Sequence, residues 1–296
     1  MLLRPLPPIL NVNVYMLHTV RERCGHRPVH EFQHDTLKLM RKPGTNLGRR
    51  YKLKTIGDKL VPCEVLPQKH KLTLPTHVDL TKHSYMPKVL DQGRLGICAS
   101  SAMANNIDYL LGQKGMSHMR PSRLALYYNT RVLIAKESAH QDTGVQLGHM
   151  CEAVRRYGVC PEALWPFTLS SFGAMPPILN GTPSVLFSGS PIHRMDVKTC
   201  LASGIPVLFG MQVHDSFESL AVAETGIVPL PDLSVEASLG AQAMLLVGYC
   251  DEVQAFLAQN TFGARWGADG YAALPYDFVF EPTLASDFWC MGSWLR

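Results

Sequence analysis

Of the eight cysteines in the chain, one stands where a nucleophile is made. Cys98 follows the glycine-punctuated stretch Gln92-Gly93-Arg94-Leu95-Gly96 and opens a segment of helical periodicity. At the first turn of a helix, backbone N–H groups without intrahelical partners and the helix dipole favour a thiolate. Cys151 and Cys200 fall on apolar helical stripes, and Cys250 ends an apolar run, which are positions of core thiols. Cys151 and Cys160 lack the close spacing of a zinc pair, and no pair of histidines completes a site, so neither a metal nor another cofactor is expected.

Such a thiol needs elements to hold it. Met103, Ile107, Leu110 and Leu111 repeat at helical spacing after Cys98, and Gly112 is a stop signal. A second helix is predicted from Ser122, after Pro121, through Leu126, Tyr127 and Val132. A third carries Leu147, Met150, Cys151 and Val154 and closes at Gly158. A short fourth spans Val197–Ala202, before Gly204 and Pro206. The period then changes. Val207–Val213, Ala243–Tyr249, Ala255–Gln259 and Gly270–Pro275 are short apolar runs bounded by Gly, Pro or Asp and read as strands. Helices first and strands afterwards predict an α+β fold.

The 296 residues are 46% hydrophobic and 18% charged, which excludes a disordered chain and leaves room for two lobes. The longest uncharged apolar run, near Ala243–Cys250, is far short of a membrane span. Met1–Met16 is apolar but broken by Pro5, Pro7 and Pro8 and lacks a clear signal-peptide pattern, which favours an intracellular or virion-associated protein. Residues 1–76 carry 14 Lys/Arg against 5 Asp/Glu, whereas the rest carry 14 against 19: a basic arm on an acidic body. Its charges do not interleave with an aromatic platform, so nucleic acid is a disfavoured partner. The sequon Asn180-Gly181-Thr182 matters only in a secretory compartment and is weakened by Pro183.

Three blocks carry a resemblance to a known family. Gln92 through Ala102 resembles the nucleophile segment of papain-like cysteine peptidases. Ala241-Gln242-Ala243-Met244-Leu245-Leu246-Val247-Gly248-Tyr249 is similar to the family's second block, a strand entering a Gly-Tyr turn. Gln259-Asn260-Thr261-Phe262-Gly263-Ala264-Arg265-Trp266-Gly267 is similar to its third, with Thr261 and Phe262 in place of Ser and Trp. Gly158-Val159-Cys160-Pro161-Glu162 with Trp165-Pro166 fits the lobe-connecting region. Leu284-Ala285-Ser286-Asp287-Phe288-Trp289 looks like the branch found in microbes and large DNA viruses. The resemblance implies a two-lobed fold with a cleft that binds peptide or protein. It places an N-terminal extension or pro-segment over residues 1–71 and a peptidase domain over 72–296, with a helical lobe over about 92–190 and a β-rich lobe over about 191–296. It also implies that Cys98 is the nucleophile, that Gln92 with the Cys98 backbone N–H forms the oxyanion hole, that Asn260 orients the base, and that Phe262 shields that contact from water. Leu95 stands where many members have a disulfide cysteine, a departure that favours a reduced setting.

One position departs in a way that matters more. Where the family places its catalytic histidine the chain has Gln242, and no histidine follows His214. An imidazole takes the thiol proton and returns one to the leaving amine; a carboxamide has no accessible pKa for either step. Loss of the histidine from an analogous serine-protease triad costs on the order of 10⁶ in kcat. The resemblance therefore implies a peptidase homologue with little or no activity, whether Gln242 is natural or was substituted to trap a substrate. Two alternatives stay open: an active thiol endopeptidase with His214 as base, and a non-catalytic scaffold or interaction protein. His149 and His193 are weaker candidates for the base.

Overall fold

The computed structural model describes residues 73–116, 119–177 and 185–295. Every charged residue of the basic arm, the apolar N-terminus and the sequon at Asn180 lie outside them. The described chain is a helical layer packed on a seven-stranded sheet, the α+β architecture read from the order of periodicities.

The helix α1 (Cys98–Gln113) runs through the interior. Its apolar stripe of Met103, Ile107, Leu110 and Leu111 is buried, and so are the polar Ser100, Ser101, Asn105 and Asn106. The helix α2 (Arg123–Tyr128) starts where Ser122 caps it, the hydroxyl accepting from Ala125 N. It does not stay α-helical through Val132, as predicted. Asn129–Ile134 is a π-turn, closed by Ala135 N donating to Thr130 O at 2.9 Å. There the Thr130 hydroxyl binds Leu126 O at 2.7 Å and Arg131 turns inward, so tertiary bonds override the local period. The helix α3 (Leu147–Tyr157) ends at Gly158, whose φ of 66° supplies the left-handed turn, and α4 (Val197–Ala202) follows as predicted.

The sheet contains β1 (His77–Asp79), β2 (Val185–Pro191), β3 (Val207–His214), β4 (Ser238–Cys250), β5 (Ala255–Gln259), β6 (Tyr271–Pro275) and β7 (Ala285–Leu295). The order is β2-β7-β3-β4-β5-β6, with β1 paired to β4. All pairings are antiparallel. At the centre, β4 is buried from Ala241 through Tyr249, which its near-continuous apolar run requires.

The strand β2 falls inside the span given to the helical lobe, yet it pairs with β7 from Val185↔Leu295 to Pro191↔Trp289. Ser188, Gly189 and Ser190 interrupt its apolar pattern, and its partner lies a hundred residues away, so local periodicity does not reveal it. Two further short helices, α5 (Leu220–Thr225) and α6 (Tyr276–Phe280), lie among the strands.

Among the described residues no helix is long and apolar enough to cross a membrane. The strand β1 packs so closely on β4 that a Cβ at Gly248 would meet the Val78 carbonyl oxygen far inside contact distance. Gly248→Ala is therefore expected to lift β1 from the sheet and destabilise the fold by about 1–3 kcal/mol, the usual range for overpacking; urea unfolding measures it. An unchanged midpoint would contradict the pairing.

Candidate active site

Two local pairings assemble the site. The strand β5 runs antiparallel to β4 with Leu245 opposite Gln259, so Asn260 and Thr261, just past β5, come alongside the first half of β4, where Gln242 lies. The nucleophile loop is stitched to the same place: Asp91 bridges Phe262, Gln92 N donates to Thr261 O at 2.8 Å, and Gly263 N donates to Leu90 O at 3.0 Å. Arg123 fixes that stitch from the helical side. Its Nη1 donates to Asp91 O at 2.8 Å while its Nη2 pairs with Glu162 at 3.1 Å. The distance between helix and sheet is set by Asn105, whose Nδ2 donates to Gln259 Oε1 at 2.7 Å; Gln259 Nε2 in turn donates to Pro87 O and the Tyr271 hydroxyl.

These constraints bring Gln92, Gln242, Asn260 and Thr261 into one buried cluster. Gln242 Nε2 donates to Asn260 Oδ1 at 2.9 Å and to Thr261 Oγ1 at 3.0 Å, and lies 3.4 Å from Gln92 Oε1. The Thr261 hydroxyl donates to Gln92 Oε1 at 2.5 Å. Asn260 Oδ1 also accepts from Thr261 N at 2.8 Å. Gln92 Nε2 donates to Leu95 O at 3.0 Å, so one of its two amide hydrogens closes its own loop. Gln242 Oε1 and Asn260 Nδ2 are buried without a hydrogen-bond partner. The amide of Gln242 thus has its donor end turned to Asn260 and its acceptor end unengaged.

Cys98 is the first residue of α1 and fully buried. Its thiol is pushed up to about 11, chiefly by burial; the backbone N–H groups of Ala243, Ala99 and Cys98 itself pull the other way, and Asp142 adds a smaller push upward. The Ala243 contact places the sulfur beside the residue that follows Gln242. The helix start does favour a thiolate, as the sequence suggests, but loss of hydration outweighs it.

His214 is buried at the end of β3, where a register shift separates it from Val213. Met211 is the residue paired with Gln242, so His214 lies ~10 Å farther along the strand. Nearby, the Glu236 carboxyl is held low mainly by the hydrogen bond from Ser216 N, with a smaller contribution from His214. His149 is exposed, and His193 Nδ1 accepts from Met195 N. Phe262 is half-buried, edge-on to Trp266 at 5.7 Å between centroids. Thr261, read only as a replacement for Ser, joins all three amides of the cluster; its place beside Asn260 was the available signal. Asp142 carries no motif at all, yet its carboxylate accepts from Gly96 N in the nucleophile loop.

A helix that opens on a cysteine, laid against an antiparallel sheet that brings an asparagine turn to that cysteine's neighbour, defines a papain-like protein. Comparison with known proteins agrees. No family model matches the sequence. A curated relative, an uncharacterized peptidase C1-like protein of Acanthamoeba polyphaga mimivirus, is 34% identical over 228 residues, spanning 71% of this chain and 72% of the relative. Xylellain, a cysteine protease from Xylella fastidiosa, superposes with a TM-score of 0.70 at 29% identity, covering 82% of this chain and 96% of its own. Procathepsin B from Trypanosoma congolense (TM-score 0.65, 16% identity, 97% and 99% covered) and bromelain from Ananas comosus (0.55, 18%, 75% and 100%) share the fold. The chain belongs to the papain-like cysteine peptidase family, with relatives in a large DNA virus and a bacterium.

The pH response of the thiol follows from its burial. Because the thiolate is the reactive form, labelling of Cys98 by iodoacetamide should be slow at pH 7 and rise about tenfold per pH unit towards pH 10 without levelling. A plateau reached below pH 7, as an ion-paired thiolate gives, would contradict this; peptide mapping at several pH values reads the rate.

Proposed function

We propose that this papain-like homologue binds peptide in its cleft and hydrolyses it poorly or not at all. In this reading residues 72–296 are the peptidase-like domain and 1–71 an extension. Cys98 holds the position of the nucleophile, Gln92 that of the oxyanion donor, Asn260 that of the orienting residue, and Gln242 that of the missing base. The relatives named as proteases support a peptide as the bound ligand.

The observation that carries the reading is the bond from Gln242 Nε2 to Asn260 Oδ1 at 2.9 Å. Asparagine accepts an N–H there, as it would from an imidazole, so the orienting contact persists in form. The chemistry does not. The amide oxygen of Gln242 accepts hydrogen bonds but is too weak a base to take the thiol proton, and its N–H is too weak an acid to protonate a leaving amine. The buried Cys98 thiol, pushed up to about 11, then stays protonated at neutral pH. His214 is too far along β3 to substitute without a rearrangement of the strand.

A second reading, a non-catalytic interaction protein, is favoured by the closed state of the cluster, since Gln92, Gln242, Asn260 and Thr261 are buried and bonded to one another. Gln242→His separates the two. On peptide substrates this variant should gain at least ~10²-fold in kcat/KM, the low end of a general base's contribution, and Cys98→Ser added to it should remove the gain. No gain in a folded variant favours the interaction protein. Substantial hydrolysis by the parent chain that Cys98→Ser abolishes would overturn the proposal.

A further inference from the structure

The loop from Gln92 to Ile97 contains no cysteine, so no disulfide ties it down. A carboxylate does. Gly96 N lies 3.1 Å from both Asp142 oxygens, and the Tyr127 hydroxyl donates to Asp142 Oδ1 at 2.6 Å while accepting from Gly144 N at 2.8 Å. Asp142 is in turn presented by a loop wrapped round Arg131. From the π-turn, that guanidinium donates to the carbonyls of Ser138 (2.9 Å), Ala139 (3.2 Å) and Gln141, and it stacks 4.3 Å from the Tyr127 ring centroid and 4.8 Å from that of Phe172. Arg131 is almost fully buried, so its cation is held by carbonyl dipoles and aromatic faces.

We propose that Asp142 is a positioning residue: braced by Tyr127 and Arg131, it fixes the loop ahead of Cys98, and with it the start of α1, through Gly96 N. The proposal deepens the reading of Cys98 as the nucleophile position and rests on it. Two links support it. Gly96 is two residues before Cys98, and the carbonyl of the intervening Ile97 accepts from Ser101 N in the first turn of α1, so displacing Gly96 displaces the helix start. The field of Asp142 also reaches the thiol and adds to the effect of burial. The charged and titratable groups around this pair are Arg131 from the π-turn, Glu137 from the loop, whose carboxylate accepts from the Thr143 hydroxyl, and Tyr127 from α2. From the sheet side the neighbours are the neutral Gln242 and Ala243.

The test reads thiol labelling, so it can fail while the proposal about hydrolysis stands. In the full chain, Asp142→Asn keeps the shape and an acceptor for Gly96 N but removes the charge. Its pH–rate profile for iodoacetamide labelling of Cys98, followed by peptide mapping, should move to lower pH by about half a unit, roughly threefold faster at pH 8. Tyr127→Phe keeps the charge and removes the brace; it should raise the rate at every pH with the profile unmoved along the pH axis. A profile for Asp142→Asn that superimposes on the parent, or shifts upward, would overturn the electrostatic link. If Asp142→Asn does not fold, an unchanged labelling rate in Tyr127→Phe would still overturn the brace.

Discussion

A carboxamide taken out of water must find partners for its two hydrogens, and most of the site follows from how Gln242 finds them. Leaving a buried donor unsatisfied costs about 1–3 kcal/mol, as much as a large core deletion removes in packing at its low end. The two shortest bonds of Gln242 Nε2 go to residues just past β5, Asn260 Oδ1 and Thr261 Oγ1, with Gln92 Oε1 a longer third acceptor. That choice depends on register: a slip of one residue between β4 and β5 would turn Gln242 to the opposite face of the sheet and strand its amide. Thr261 then passes the constraint to Gln92, and Gln92 to the carbonyl of Leu95, so the polar cluster reports the alignment of three separate segments.

In the proposed reading an amide stands in place of an imidazole, an exchange conservative in shape and radical in chemistry. Both groups are planar, present an N–H to Asn260 and carry an acceptor on the other side. An imidazole changes its proton count near neutral pH, whereas an amide offers dipoles only. The fold tolerates the exchange because its requirement is a donor for Asn260 Oδ1, and it is indifferent to whether that donor belongs to an acid. Catalysis makes the stricter demand. The same environment that accommodates the amide also desolvates Cys98, and the backbone N–H groups of Ala243, Ala99 and Cys98 offset only part of that loss of water.

The sequence made the helices and the central strands legible because each has several turns or alternations within one local window. Cys98, Gln242 and Asn260 were legible as positions because they sit in short blocks with glycines and aromatics at fixed spacing. Elements made by distant partners were hidden. The strand β2 depends on β7, and the π-turn at Asn129–Ile134 depends on carbonyls of a later loop. Thr261 and Asp142 were unread for a related reason: a hydroxyl or carboxylate in a loop gives no periodic signal, and its meaning comes from which backbone N–H or side-chain oxygen it meets after folding. In the edge strand β2 the small residue Gly189 lets the neighbouring thiol of Cys151 approach the backbone, a fit that no local pattern announces.

The cluster of Gln92, Gln242, Asn260 and Thr261 contains amides and a hydroxyl and no group that gains or loses a proton across the range in which proteins work. A histidine in the same place would tie the arrangement of the cleft to the acidity of its surroundings. This chain has cut that tie. A change from neutral to mildly acidic pH leaves every donor and acceptor of these four residues as it was, so this part of the proposed cleft presents one set of hydrogen-bonding groups across that range.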